Sequence, residues 1–285
     1  MSDQEDFCGS TSGEPISSSV KASQKAMEAV FRVDGDRVIV SPHAAGPWDP
    51  AMQHGSAPAS LAVWAAEAIP TPAPMRIARV TIDLMRPVPL RTLTLETEVL
   101  RQGRKIQLSA VRLRADGVLA VAATVLKVRM QAETLPADVS GPPVELPSPA
   151  QSPEDAAQFS NSPFVTGMSL RAARGKFGVK GPGAIWYRIE RPLIEGQSVS
   201  QAVRAIVAAD FCNGTSAALD FRDWTFLNAD LTLSMAREPA GEWILLEAES
   251  WIGPDGAGLS MARLADGLGY FGRCVQSLLI EKRSA

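Results

Sequence analysis

Apolar residues recur at helical spacing between residues 198 and 210, and the run ends on an acid. Ser198 or Ser200 can cap this helix at its start. Asp210 falls at or near its C-terminus, where the negative end of the helix dipole disfavours a carboxylate by a few tenths to about 1 kcal/mol. Asn213-Gly214 follows as a natural stop signal. An acid at the unfavourable end of an apolar helix suggests a functional carboxylate. The apolar positions are Val203, Ile206 and Val207.

A second helix is predicted over residues 55–69. Ser56 can serve as its N-cap, and Pro58 falls within the first turn, where proline does little harm. The helix is apolar nearly all round apart from Glu67, a pattern typical of a helix buried on every side. Prolines at positions 70, 72 and 74 end it.

The remaining apolar residues mostly alternate with polar ones, the period-two pattern of strands in an antiparallel sheet. Asp34-Gly35-Asp36 marks the turn of an initial hairpin over residues 29–41. Similar turns, Ala115-Asp116-Gly117 and Ala265-Asp266-Gly267, precede the last strand of each half. Strands are predicted over residues 80–85, 92–100, 106–113, 118–128, 184–194, 225–235, 243–252 and 270–281, with a further short strand around 258–263.

The order of a buried helix followed by several antiparallel strands occurs twice, which indicates an internal repeat. Between the copies, residues 134–163 hold seven prolines and almost no apolar periodicity, so we interpret them as an extended linker. The predicted organisation is a disordered tail over residues 1–27, one domain over 28–133, the linker, and a second domain over 164–285. The fold class is therefore α+β.

The composition of the chain argues against several classes of partner and site but does not identify a function. The net charge is about −3 and the basic residues are spread along the chain, which argues against a nucleic-acid or anionic membrane partner. The three cysteines form no CxxC pair, so neither a disulfide framework nor a structural zinc site is indicated. The first 25 residues are acidic and polar, unlike a signal peptide, and a cytoplasmic location is expected.

Several motifs, taken in order, resemble the acyl-CoA thioesterase II and thioesterase-like group. They are WDPAMQHGSAPASL, VTIDLMRPVPL with its following ADG turn, and then ADF, FLNADL, RxPxGEW and CVQ in the second half. The resemblance implies a double hotdog, with two long antiparallel sheets each wrapping a buried central helix. It also implies an acyl-CoA hydrolase of lipid metabolism that needs no metal or other cofactor, and a homodimer.

In that family a water is held by three side chains, and the resemblance carries these roles to Asp210, Asn228 and Gln276. Asn228 stands where the family has a threonine or serine. Thioester hydrolysis needs a carboxylate that activates water and a donor that steadies the oxyanion, and these side chains offer both. Each also has a structural alternative: a solvated helix end for Asp210, a strand-edge hydrogen bond for Asn228, and an exposed strand position for Gln276.

His54 and Gly55 precede the first helix, where free backbone N–H groups could bind an oxyanion, so we expect both to line the substrate site. Many single hotdog thioesterases, which this segment resembles, carry an acid about eight residues after such a histidine. Here that region is Ala62-Val63, so the resemblance implies that the first half has no base of its own. A Ser–His–Asp hydrolase is disfavoured because there is no GxSxG motif and only two histidines are present.

The expected function is hydrolysis of an acyl-CoA to a free acid and coenzyme A through an activated water. Two alternatives stay open at this point: a hotdog protein that binds acyl thioesters without turnover, and a thioesterase acting on a carrier-protein thioester. Acyl-CoA is the expected partner, and neither nucleic acid nor membrane is expected to bind.

Overall fold

The computed structural model describes residues 29–134, 136, 139, 142–155 and 162–283. The predicted tail and parts of the predicted linker lie outside these residues. The helices are α1 Ser56–Glu67, α2 Gln201–Asp210 and α3 Cys212–Thr215. The strands are β1 Phe31–Asp34, β2 Arg37–Val40, β3 Met75–Leu84, β4 Leu93–Gln102, β5 Ile106–Ala115, β6 Val118–Arg129, β7 Met168–Arg174, β8 Gly183–Ile189, β9 Trp224–Asn228, β10 Asp230–Met235, β11 Ile244–Ile252, β12 Ala257–Asp266 and β13 Gly269–Lys282.

The strands of both halves join in one antiparallel sheet. Their order is β1-β2-β4-β5-β6-β3-β10-β13-β12-β11-β8-β7, with β9 pairing to β13. The halves meet where β3 pairs with β10, from Asp83 opposite Asp230 to Arg79 opposite Ser234. The two sheets expected from the sequence thus pair edge to edge as one continuous layer. Apart, β3 and β10 would each be an edge strand with unpaired backbone N–H and C=O groups, and their pairing satisfies those groups.

Both long helices pack on the buried face of this sheet. Ten of the twelve residues of α1 are buried, which agrees with its apolar sequence on all sides. The helices pack against each other, and α1 also packs on β5 whereas α2 packs on β11. Ser200, one of the two predicted caps, is the N-cap of α2. Its hydroxyl accepts a hydrogen bond from the Val203 N–H at 3.1 Å.

A second contact joins the C-terminal end of α1 to the start of α2. The Ser200 hydroxyl donates to the Glu67 carboxylate at 2.8 Å. Burial raises the pKa of Glu67, and the hydrogen bond from Ser200 opposes that rise. Glu67 is thus the polar position of the α1 helix, as its sequence indicated, and it links the two halves of the chain.

Five local predictions differ from the structure. Strand β7 was not predicted: its sequence MSLRAAR alternates only over its first five residues, and it lies at the edge of the sheet. Strand β12 is a full-length strand, and the predicted strand 225–235 is broken at Ala229. Gly55, not Ser56, is the N-cap of α1. Asn213-Gly214 lies inside α3, and a Cβ at Gly214 would be 2.6 Å from the Phe177 ring, so close packing explains this glycine.

The described part of the predicted linker, residues 142–155, packs against the second half of the chain. Val144 and Leu146 contact a small apolar cluster that includes Trp186. The Trp186 indole N–H donates to the Pro147 carbonyl at 2.9 Å. The division of the chain into two domains by residues 134–163 stays a prediction.

Candidate active site

Asp210 is the last residue of α2, and its side chain is only 4% exposed. Its carboxylate faces the N-terminus of α1, which comes from the other half of the chain. Because the N-terminal end of a helix carries positive partial charge, α1 offsets the unfavourable position of this acid at the end of α2. The solvated helix end considered from the sequence is therefore excluded for Asp210.

Two side chains from the start of α1 contact the same carboxylate oxygen. The Ser56 hydroxyl donates to Asp210 Oδ2 at 2.8 Å. His54 Nδ1 lies 3.3 Å from Asp210 Oδ2 and 3.2 Å from the Ser56 N–H. One nitrogen cannot accept from the Ser56 N–H and donate to Asp210 at the same time, so the protonation state of His54 selects between these contacts.

The His54 ring is held between two aromatic rings. It stacks on Phe164 with ring centroids 5.0 Å apart, and it lies 4.8 Å from Phe211. Phe211 follows Asp210 in the chain, so this aromatic cluster fixes the histidine and the end of α2 together. The structure thus places His54 beside Asp210 and along a cavity.

Gly55 is required by the closeness of α1 to Asp210. A Cβ on residue 55 would lie 2.7 Å from Asp210 Oδ1 and 2.9 Å from Oδ2, distances that real Cβ atoms essentially never show. The Gly55 N–H makes no hydrogen bond within the described part of the chain. This N–H is therefore a donor available to a ligand beside the carboxylate.

Asn228 reaches Asp210 because of a β-bulge between β9 and β10. Asn228 lies opposite Leu278 but Thr232 lies opposite Val275, so this segment has one more residue than its partner strand. The extra residue places Asn228 on the buried face with Leu231, instead of on the outer face with Thr232. The Asn228 Nδ2 then donates to Asp210 Oδ1 at 3.1 Å. Asn228 is therefore not only a strand-edge hydrogen bonder, the structural alternative considered from the sequence, because its side chain contacts Asp210.

Gln276 is fully buried, but it contacts the backbone at Asp210 and not the carboxylate. Its Nε2 donates to the Asp210 carbonyl at 3.1 Å, and its Oε1 accepts from the Asn213 N–H at 3.3 Å. The side chain therefore spans the break between α2 and α3. It does not line the cavity in front of the Asp210 carboxylate, which is described below. The exposed-strand alternative is excluded, and in this structure Gln276 holds the end of α2 in place.

The cysteines behind Asp210 are packing residues. Cys212 and Cys274 are both buried and unpaired by a disulfide. A hydrogen bond with Cys212 and burial raise the pKa of Cys274 well above its usual value. A thiol with a raised pKa stays protonated at neutral pH and is a poor nucleophile.

A cavity of about 430 Å³ opens in front of the Asp210 carboxylate. It lies between the two halves, because His54 and Gly55 line it from the first half and Asn228 from the second. Most other wall residues are apolar, which suits an apolar ligand, while Asp49 and Arg86 add charge. The apolar wall includes Met52, Leu84, Val88, Leu227 and Leu279.

The five site residues predicted from the sequence lie close together, but the contact of Ser56 with Asp210 was not predicted. Asp210, Asn228, Gln276, His54 and Gly55 all lie around the end of α2. Ser56 was interpreted as a helix cap, since a serine before an apolar helical run is the usual cap signal. Nothing local in the sequence distinguishes a serine that caps its own helix from one that contacts a distant acid.

Neither a metal cluster nor a membrane span is found in the described ranges. No group of three or more His, Cys, Asp and Glu side chains could hold a metal ion there. Likewise, no helix of those residues is long and apolar enough to cross a bilayer.

Two family models match the chain. Residues 44–128 match the acyl-CoA thioesterase N-terminal domain, and residues 143–280 match the acyl-CoA thioesterase C-terminal domain. The second match begins inside the predicted linker, in the stretch that packs on the second half. No curated protein sequence matches the chain.

Solved structures show the same fold. A candidate thioesterase from Novosphingobium aromaticivorans is 23% identical, with a TM-score of 0.67 over 88% of this chain and 98% of that one. A hot dog fold protein from Alicyclobacillus acidocaldarius is 14% identical, with a TM-score of 0.68 over 89% and 96% of the two chains. An acyl-CoA thioesterase II from Mycobacterium marinum is 13% identical, with a TM-score of 0.59 over 91% and 96%.

Proposed function

Since the chain belongs to the acyl-CoA thioesterase family with two hotdog domains in one polypeptide, we propose that it hydrolyses acyl-CoA thioesters with Asp210 as the general base. One observation carries this proposal. The Asp210 carboxylate is buried, is held by groups from both halves, and borders an apolar cavity. A carboxylate in such a place is a suitable acceptor for a proton from water.

In the proposed reaction, water binds in the cavity beside the hydrogen-bonded Asp210 Oδ1 and Asn228 amide. Asp210 takes one proton from the water while the water oxygen forms a bond to the thioester carbonyl carbon. The electron pair of the C=O bond moves onto the carbonyl oxygen. When this pair returns, the C–S bond breaks and the thiolate takes the proton from Asp210. The products are the carboxylic acid and free coenzyme A, and the base is restored.

The oxyanion of this reaction requires a hydrogen-bond donor in the cavity. The Gly55 N–H is available and lies at the positive end of α1, next to the base. Such a donor acts on the charge that develops in the transition state, and the loss of one donor of this kind typically costs about 100- to 1000-fold in kcat. His54 and Gly55 thus have substrate-binding roles in this proposal.

A covalent route through Ser56 is less favoured. Its hydroxyl donates to Asp210 and not to His54, it is fully buried, and it does not line the cavity. Asp210 could act as a base at this hydroxyl, but a nucleophilic serine also needs a path to the substrate carbonyl, and Ser56 does not reach the cavity. A water in the cavity beside Asp210 has that access.

Release of free thiol from a panel of short, medium, long and aryl acyl-CoAs tests the proposal. We expect steady release by the wild-type protein without an initial burst, because no acyl-enzyme forms. Asp210→Asn keeps the size of the side chain and should lower kcat by at least about 100-fold with a normal circular dichroism spectrum.

The outcomes also separate the alternatives. No release from any acyl-CoA, together with binding of those compounds, would favour a binding protein without turnover. Release from acyl carrier protein substrates alone would favour the carrier-protein thioesterase. Full activity of a folded Asp210→Asn variant would exclude Asp210 as the base.

A further inference from the structure

Ser56 makes a buried contact between the halves of the chain that the proposed reaction does not itself require. Its hydroxyl is 0% exposed and lies 154 positions from Asp210 in sequence. The hydroxyl is 2.8 Å from Asp210 Oδ2 and 3.3 Å from the Val207 carbonyl, so the carboxylate is its closer acceptor. A hydroxyl has one proton to donate, and a charged oxygen is the stronger acceptor.

We propose that Ser56 is a positioning residue that fixes the orientation of the Asp210 carboxylate. With Oδ2 held by Ser56, the other oxygen, Oδ1, is turned to Asn228 and the cavity. This inference rests on the proposed function, since it concerns which oxygen of the base faces the water. The acid comes from the second half of the chain, and the group that orients it comes from the first.

Two other roles for Ser56 fit the structure less well. It is not the N-cap of α1, since Gly55 holds that position and no side chain caps the helix there. Its role is also more than filling space, because a buried hydroxyl at 2.8 Å from a carboxylate forms a charge-assisted hydrogen bond. An aspartate side chain that loses this bond can rotate about its terminal torsion, which is a soft motion.

Ser60 provides a matched control on the same helix. It is also buried, one turn further along α1, and its hydroxyl donates to the Ala57 carbonyl at 2.7 Å. It makes no contact with Asp210. Ser60→Ala therefore removes an equally buried hydroxyl from the same helix and leaves the base untouched.

The first experiment compares crystal structures of the wild-type protein and Ser56→Ala. We expect the Asp210 carboxylate to rotate in Ser56→Ala, so that Oδ1 loses its contact with Asn228. This readout does not depend on turnover. If the carboxylate keeps its orientation in Ser56→Ala, the inference is wrong, whatever the activity of the protein.

The second experiment measures kcat and KM separately. Ser56→Ala should lower kcat by about 10- to 100-fold with KM changed by less than about threefold, the loss typical of one hydrogen bond to a charged group. Ser60→Ala should stay within about twofold of wild type. Ser56→Thr retains a hydroxyl and should recover part of the lost kcat. Equal losses in Ser56→Ala and Ser60→Ala would overturn the inference. If wild type hydrolyses no thioester, the proposed function fails, and the crystal structures still decide the role of Ser56.

Discussion

At the scale of single residues, the site depends on how closely the start of α1 approaches Asp210. Gly55 has no side chain, Ser56 donates to the carboxylate, and His54 lies against the same oxygen. Any side chain at residue 55 would collide with the carboxylate. The acid at the C-terminal end of α2 is stabilised there by Ser56 and His54 at the start of α1 and by Asn228.

We predict that Gly55→Ala severely reduces activity. The new methyl group would lie 2.7 Å from Asp210 Oδ1, so either the carboxylate or α1 must shift. Because catalytic groups work only near their productive geometry, we expect kcat to fall by about 100-fold or more. Steady-state kinetics on the best acyl-CoA substrate check this.

Gly267→Ala is the control for Gly55→Ala. A Cβ there meets no atom within 4 Å, so this variant should keep full activity. If Gly55→Ala also kept wild-type kcat, the close approach of α1 to Asp210 would not be needed for activity.

At the scale of elements, the two ADG turns of the repeat have diverged in what they hold together. In the first half, Asp116 pairs with Arg91 at the surface, where both side chains are more than two-thirds exposed (70% and 69%). In the second half, the buried Asp266 binds Arg237 through two hydrogen bonds of 2.6 and 2.7 Å. It also accepts from the backbone N–H groups of residues 240 and 268. The sequences are alike, but only the second turn is a buried anchor.

We predict that Asp266→Asn lowers the free energy of unfolding by about 2–3 kcal/mol at pH 7, since it removes a buried charge with several donors. Asp116→Asn at the equivalent turn should change it by less than about 0.5 kcal/mol, because exposed ion pairs contribute little. Urea unfolding of the two variants measures both values. Equal effects of the two substitutions would show that the buried network does not stabilise the fold.

The same network predicts a pH dependence of stability. Burial raises the pKa of Asp266, but the hydrogen bonds from Arg237 and from two backbone N–H groups outweigh burial and hold it below its usual value of 3.8. A lowered folded-state pKa gives stability that is complete above the unfolded value and is lost as the pH falls below it. The difference between wild type and Asp266→Asn should therefore shrink below about pH 4. Urea unfolding repeated at pH 7 and pH 3.5 checks this, and a constant difference would contradict it.

At the scale of the whole molecule, the halves share one sheet and one site. The pairing of β3 with β10 makes the sheet continuous, and the cavity is lined by Gly55 from one half and Asp210 from the other. In the proposed reaction, one half supplies the base and the other the oxyanion donor, so one acid would suffice for a molecule with two similar helices. The first helix contributes its N-terminus to the site, and the second contributes the carboxylate.

We predict a single cooperative unfolding transition, because the halves share a continuous ladder and a common core. Val111→Ala in β5 and Leu246→Ala in β11 remove buried side chains from the first and second halves. Each should lower the midpoint of the same transition by roughly 5 °C. Differential scanning calorimetry shows whether one peak moves. Two separate peaks, each shifted by one variant only, would mean that the halves unfold independently.

The sequence alone predicted most of the elements, because their patterns are local. The helical spacing before Asp210, the apolar α1 and the alternation of the main strands depend on neighbouring residues only, and the structure confirms them. The resemblance to a family then brought Asn228 and Gln276 to the same region. The edge strand β7 was not found, since an edge strand needs fewer apolar residues.

Only the tertiary structure decided how the site residues face one another. A single extra residue in the β9–β10 segment turns Asn228 to the buried face, since side chains alternate with a period of two and a one-residue shift reverses their direction. Packing of α1 against α2 decided that Ser56 meets Asp210 across 154 positions of the chain. The sequence by itself determined the elements and the identity of the acid. The register of the strands and the packing of the helices determined which groups hold that acid.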